Sequence, residues 1–294
     1  MKHIALAAAL LFAACASAQA QTPRCPPAGY TRADLDALKA AEWALPDDAA
    51  RNSLARALTA CVGAPDPTLR DGIAFEGLQH WMRARALSDE TMLALADTLE
   101  TQLNANDRRG FTQPFAALIL SEVARADRVQ AFLTPERRAQ LLNSSIAYLE
   151  SVRDYRGFDE REGWRHGVAH ASDIMLQLSL NPALGKPELE RIAAAVASQV
   201  APDAHFYIYG ESERLARPII FMAQRGLISE EEWTRYFAQF PTAGENMFAS
   251  QAGLARRHNV NAFLQIIWLN ARISQNEADD VLLPGAEAAI RAMP

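Results

Sequence analysis

Apolar residues recur three and four positions apart along most of the chain, and strand-type alternation is nearly absent. Helix start signals punctuate this pattern. Thr31 precedes Arg-Ala-Asp-Leu-Asp-Ala-Leu, and Pro46-Asp47-Asp48 opens a second helix that Gly63 closes. Asp66-Pro67 opens a third, carrying Leu69, Ile73, Leu78 and Trp81. Further starts stand at Ser88-Asp89-Glu90, Thr134-Pro135-Glu136, Pro187-Glu188 and Ser229-Glu230-Glu231. Each combines a capping side chain or an early proline with acids that favour the positive end of the helix dipole. The starts at 88, 134, 187 and 229 lie 46, 53 and 42 residues apart, room for two helices and two turns. The pattern predicts an all-α fold of stacked helical hairpins, either an α/α superhelix of HEAT-like repeat length or an α/α toroid. The chain shows no self-similarity at that period.

No Gly- or Ser-rich linker divides residues 31–294, which read as a single all-helical domain behind a Pro-rich arm at 21–30. Two segments break the helical rhythm: a charged stretch at 151–161 and an aromatic one at 202–212. Irregular connections between rigid elements are where sites tend to lie.

The first 20 residues change the picture of the rest. Lys2, the apolar run from Ile4 to Ala14, and the small residues Ala18 and Ala20 predict a secretory signal peptide cleaved after Ala20, hence a periplasmic or secreted protein. A competing reading is lipoprotein processing at Cys15. The apolar run is too short to span a bilayer, and no other segment is long and apolar enough. The remaining 274 residues carry 28 basic and 35 acidic side chains, a net charge of −7 that argues against nucleic acid as a partner. They retain Cys25 and Cys61, which in an oxidising compartment are expected to form a disulfide pinning the arm to the first helices.

The candidate chemistry centres on residues 162–180. On a helix, His166, His170 and Asp173 stand four and three residues apart, one above another, and Gln177 continues the row. Trp164, Val168, Met175 and Leu178 form the opposite, apolar side. A stripe of His, His, Asp and Gln without Lys or Glu is unlike an ordinary solvated face. His166, His170 and Asp173 are therefore candidate ligands of a divalent metal such as zinc, with Asp154, Glu211 or His205 as a fourth ligand or supporting partner. The alternative is structural: the imidazoles cap helix ends or bond a buried carboxylate. A second chemistry is general acid–base catalysis by His166, His170, Asp154 and Glu211, with Trp164, Arg156, Arg214, His205 and Tyr207 contacting a small polar ligand. There the alternative is that Glu211 is a first-turn acid. Serine-hydrolase elbows, Walker loops, Gly-x-Gly-x-x-Gly and Cys-x-x-Cys are absent.

Four segments resemble a bacterial family known as domain of unknown function 2785: Asp66-Pro-Thr-Leu-Arg-Asp71, Asp154-Tyr-Arg-Gly157, Gly163-Trp-Arg-His-Gly-Val-Ala-His-Ala-Ser-Asp173 and Gly210-Glu-Ser-Glu-Arg-Leu215. The Gly-Trp-x-His-x-x-x-His-x-x-Asp stretch is the specific part. The resemblance implies an all-helical domain and brings no established activity. The chain departs from the family pattern at Val152, where the family has an acid, and at Gln113-Pro114-Phe115-Ala116, where it has Arg-Ser-Phe-Ser. Two functions fit the residues: an exported helical protein with a His/Asp/Glu-lined cleft for a metal or small polar ligand, with hydrolysis within its chemistry; or a non-enzymatic helical scaffold binding another exported protein.

Overall fold

The computed structural model describes residues 24–202, 204–240 and 246–294. The expected signal peptide at 1–20, with Cys15 in it, and residues 21–23 of the arm lie outside the described residues. After the arm come α1 (Arg32–Ala40), α2 (Asp48–Leu58), α3 (Pro67–Leu69), a π-helical turn (Arg70–Phe75), α4 (Glu76–Arg83), α5 (Asp89–Leu103), α6 (Thr112–Val129) and α7 (Pro135–Ser151). A small antiparallel ladder follows, β1 (Phe158–Asp159) with β2 (Gly163–Trp164), pairing Phe158 with Trp164 and Asp159 with Gly163. The chain continues through α8 (Gly167–Ser179), α9 (Lys186–Val200), α10 (Glu211–Ala223), α11 (Glu230–Ala238), α12 (Gln251–Ile273) and α13 (Leu283–Ala292). The all-α expectation holds, and no helix among the described residues is long and apolar enough to cross a membrane.

The helices begin where their sequence signals stand. The side chains of Thr31, Asp47, Asp66, Ser88, Thr134 and Ser229 each accept a hydrogen bond from a backbone N–H of the first turn. α9 starts one residue before its Pro187. Helix packing alternates. α4, α6, α8, α10 and α12 pack successively into one row, and α2, α5, α7 and α9 form another; α5–α6, α7–α8, α8–α9 and α9–α10 contacts join the two. α11, α12 and α13 pack together at the C-terminal end.

α8 lies at the centre of this arrangement, packed on α6, α7, α9 and α10. Its sequence explains why: apolar or small residues occupy nearly every face, and only Asp173 and Gln177 escape full burial. One continuous apolar core runs from Leu35 on α1 to Ala289 on α13. Polar cross-links tie the α4–α10 row together. Arg83 on α4 donates to Glu122 on α6, Arg128 on α6 to Gln177 on α8, and Arg214 on α10 to Asp173 on α8. Cys25 and Cys61 are bridged, so the arm is fastened beyond α2. Closing that loop of 36 residues is worth about 3–4 kcal/mol through the unfolded chain.

Candidate functional site

The stripe expected on a single helix is split at its first member. α8 begins at Gly167, so Trp164 belongs to β2 and His166 is the residue before the helix, in the left-handed region at φ 58°, ψ 42°. The hairpin is the cause. Its ladder continues past β2 as Arg165 N–H donates to the Gly157 carbonyl at 3.0 Å and His166 N–H to the Arg156 carbonyl at 3.1 Å. The chain must then turn into α8 within one residue, and His166 absorbs the turn. A non-glycine residue there costs about 1–2 kcal/mol.

His166 and His170 still come together, with ring centroids 5.7 Å apart. Each ring is anchored to a backbone carbonyl, His166 Nε2 to Tyr209 at 3.0 Å and His170 Nδ1 to Pro114 at 3.1 Å. A carbonyl only accepts, so those two nitrogens carry the hydrogens. In neutral rings Nδ1 of His166 and Nε2 of His170 are then bare lone pairs, and neither makes a hydrogen bond among the described residues. The rings are neutral at neutral pH. Burial, assisted by the charge of Arg214, pushes His166 down to about 4 against the opposing bond to Tyr209. Burial holds His170 well below its ordinary value too, with His166 and Arg214 adding to the effect. Aromatic rings complete the setting: Trp164 stacks on His166 at 4.7 Å, and Phe115 meets His170 edge-on at 5.3 Å.

Asp173 lies near but is not free to join the imidazoles. Both its oxygens accept from Arg214, Oδ1 at 2.9 Å from Nε. Burial raises its carboxyl above the ordinary range, against the pull of Arg214. Among the described residues no group of three or more His, Cys, Asp and Glu side chains is arranged to hold a metal ion. The expected set of His166, His170 and Asp173 is therefore not assembled: the carboxylate that would complete it is engaged by an arginine 41 residues further along.

The other expected residues have their own positions. Burial works to raise the Asp154 carboxyl, but Arg156, bonded to it through Nε at 2.8 Å, outweighs that and holds it below its ordinary value. Glu211, in the first turn of α10, is buried and accepts from Tyr209 N–H at 2.8 Å. Asp154 and Glu211 are thus each occupied locally. His205 stacks on Tyr155 at 4.9 Å, and its Nε2 is sealed without a partner. Tyr207 is in the core, where its hydroxyl donates to the Gln199 carbonyl.

Several residues around the pair were not among the sequence candidates. Arg70, in the π-helical turn, is fully buried; its guanidinium lies 4.1 Å from the Phe111 ring centroid and 4.7 Å from that of Phe115. It donates to the carbonyls of Ala64 and Glu162 at 2.9 and 2.8 Å. Arg165 also lies over Phe111, at 4.3 Å, and donates to the Arg109 carbonyl. The Arg-Asp at 70–71 inside an apolar-periodic stretch was the available hint. Tyr209 packs against Gly157 so closely that a Cβ there would come within 2.1 Å of its ring.

The segments of the family resemblance meet here. Arg70 holds the hairpin at Glu162, Gly157 and Arg156 accept from Arg165 and His166, and Arg214 holds Asp173. The departing stretch at 113–116 touches the same place, with Pro114 and Phe115 against His170. Searches of curated proteins and of solved structures return no match. A family match covers residues 85–269, most of the chain, with the 66–71 segment lying before it. The chain belongs to the family described as Protein of unknown function (DUF2785).

Proposed function

We propose that the chain is an exported protein that binds a small, hydroxyl-rich ligand at the His166–His170 pair. The observation that carries this reading is the pair of fixed, neutral imidazoles, each with one nitrogen tied to a carbonyl and the other left as an acceptor. Two adjacent acceptors without a free carboxylate suit a neutral donor such as a polyol or a sugar. Trp164 and Phe158, both on the hairpin and both partly exposed, supply flat apolar surface beside them. Binding is favoured over hydrolysis, because a ring that protonates only near pH 4 is a weak proton acceptor at neutral pH.

The test is a thermal-shift and tryptophan-fluorescence screen with neutral mono- and disaccharides and polyols. A ligand should raise the melting temperature and change Trp164 emission, identified by its loss in W164F. His166→Ala and His170→Ala should each abolish the shift. If no compound of this class binds, or binding survives in both variants, the reading fails. The rival, a scaffold for another exported protein, draws on the low exposure of both imidazoles, 8% for His166 and 7% for His170. It predicts that both variants lose stability while no small ligand is found.

A further inference from the structure

A cavity of about 420 Å³ lies between the α4–α5 connection and the C-terminal half of α6, in the size range of small-molecule pockets. Its floor is apolar: Met82, Leu87 and Met92 are buried, and Phe132 packs against the core beside them. Its walls carry three guanidiniums, from Arg83, Arg85 and Arg125, against one acid, the exposed Asp89.

The three arginines differ. Arg83 is committed to Glu122, and Arg85 donates to Gln130. Arg125 is only partly exposed yet makes no hydrogen bond, ion pair or ring contact among the described residues. Its helix neighbour Arg128 is bonded to the neutral Gln177. Two adjacent positive charges on α6 thus lack a carboxylate partner. A partly buried cation normally finds a counter-charge. Here the open position beside it is the cavity.

We propose that this cavity is a second binding site, for a small amphipathic anion whose carboxylate meets Arg125 and whose alkyl chain lies over Met82, Leu87 and Met92. The site is separate from the imidazole pair. Its chemistry is opposite in kind: one charge-assisted contact plus apolar burial, in place of two neutral acceptors.

Calorimetric titration of the mature chain with sodium octanoate tests this. Saturable one-to-one binding is expected. 1-Octanol, which keeps the tail and loses the charge, should bind about tenfold more weakly, and acetate, which keeps the charge and loses the tail, should not bind measurably. Arg125→Gln should weaken octanoate about tenfold while melting like the parent chain, since Arg125 holds no partner. Should R125Q fold poorly, Val129→Glu on the exposed rim should weaken octanoate by adding a like charge. Absent octanoate binding, equal affinity for octanol, or undiminished binding in folded R125Q and V129E would each overturn the site.

Discussion

Two groups of helix starts in this protein stand in contrast. α5, α7 and α11 start behind Ser88, Thr134 and Ser229, in extended backbone with a hydroxyl on a first-turn N–H. α8 and α10 start behind His166 and Gly210, both left-handed and neither offering a side-chain cap. The first group spends its polar side chains on finishing the helix. The second leaves the helix start unfinished and turns its side chains elsewhere: the His166 ring to Tyr209, Glu211 back to Tyr209 N–H, Arg214 across to Asp173. Ordinary helix ends are built for stability. These two sacrifice some of it to place particular groups, which is the usual mark of a site.

Acid should break the comparison most visibly. The unfolded chain protonates its imidazoles near pH 6.5, whereas folded His166 resists until about pH 4. Its contribution is therefore complete above pH 6.5 and is lost as pH falls toward 4, about 3 kcal/mol from His166 alone. Urea unfolding at pH 7, 5.5 and 4 should show this decline, and His166→Asn should make it shallower by the His166 share, leaving that of His170. A parent chain equally stable at pH 7 and 5 would mean the ring is not kept neutral.

Next in size is Gly157→Ala. The added methyl meets the Tyr209 ring head-on, so a cost of about 2 kcal/mol is expected from displaced packing. The Trp164 environment should change with it, because Tyr209 also touches that ring. Unchanged stability and fluorescence would remove Tyr209 from the wall of the site. At the ordinary starts, Ser88→Ala and Thr134→Ala should each cost about 1 kcal/mol in chemical unfolding and leave ligand binding untouched.

An effect of the same modest size is the sharpest. Comparing His166→Gly with His166→Ala cancels the loss of the ring and isolates the backbone. Glycine should be the more stable by about 1 kcal/mol, the reverse of its usual handicap. Alanine matching or exceeding glycine would show that residue 166 can relax out of the left-handed region.

What the sequence made legible follows the same division. Capped starts were readable because the cap and the helix it finishes are neighbours in the chain, as at Ser88 and Ser229. The breaks between α7 and α8 and between α9 and α10 were readable from the composition of 151–161 and 202–212, although Ser151, Glu211 and Ser212 belong to the flanking helices. His166 was not, since nothing in Arg-His-Gly-Val-Ala announces that a two-residue strand ends only two residues before the helix. Asp173 looked like a ligand because its partner, Arg214, is on another helix. Tyr207 looked available because an extended segment sends alternate side chains to opposite sides: Tyr207 went into the core, while Ile208 is 70% exposed. Arg70 was the hardest, because an arginine buried on phenylalanine rings has no periodic signature.

Arg70 also sets a limit on how far the protein can be trimmed. It reaches from the third helical segment to the Glu162 carbonyl, 92 residues away, and shares Phe111 with Arg165. A shortened chain beginning at residue 85, where the family match begins, would keep every imidazole and aromatic of the candidate site. It would lose the strut that ties the hairpin to the N-terminal helices. The catalogue boundary and the mechanical boundary of this protein therefore do not coincide: the first 20 or so residues before the match are part of the machine.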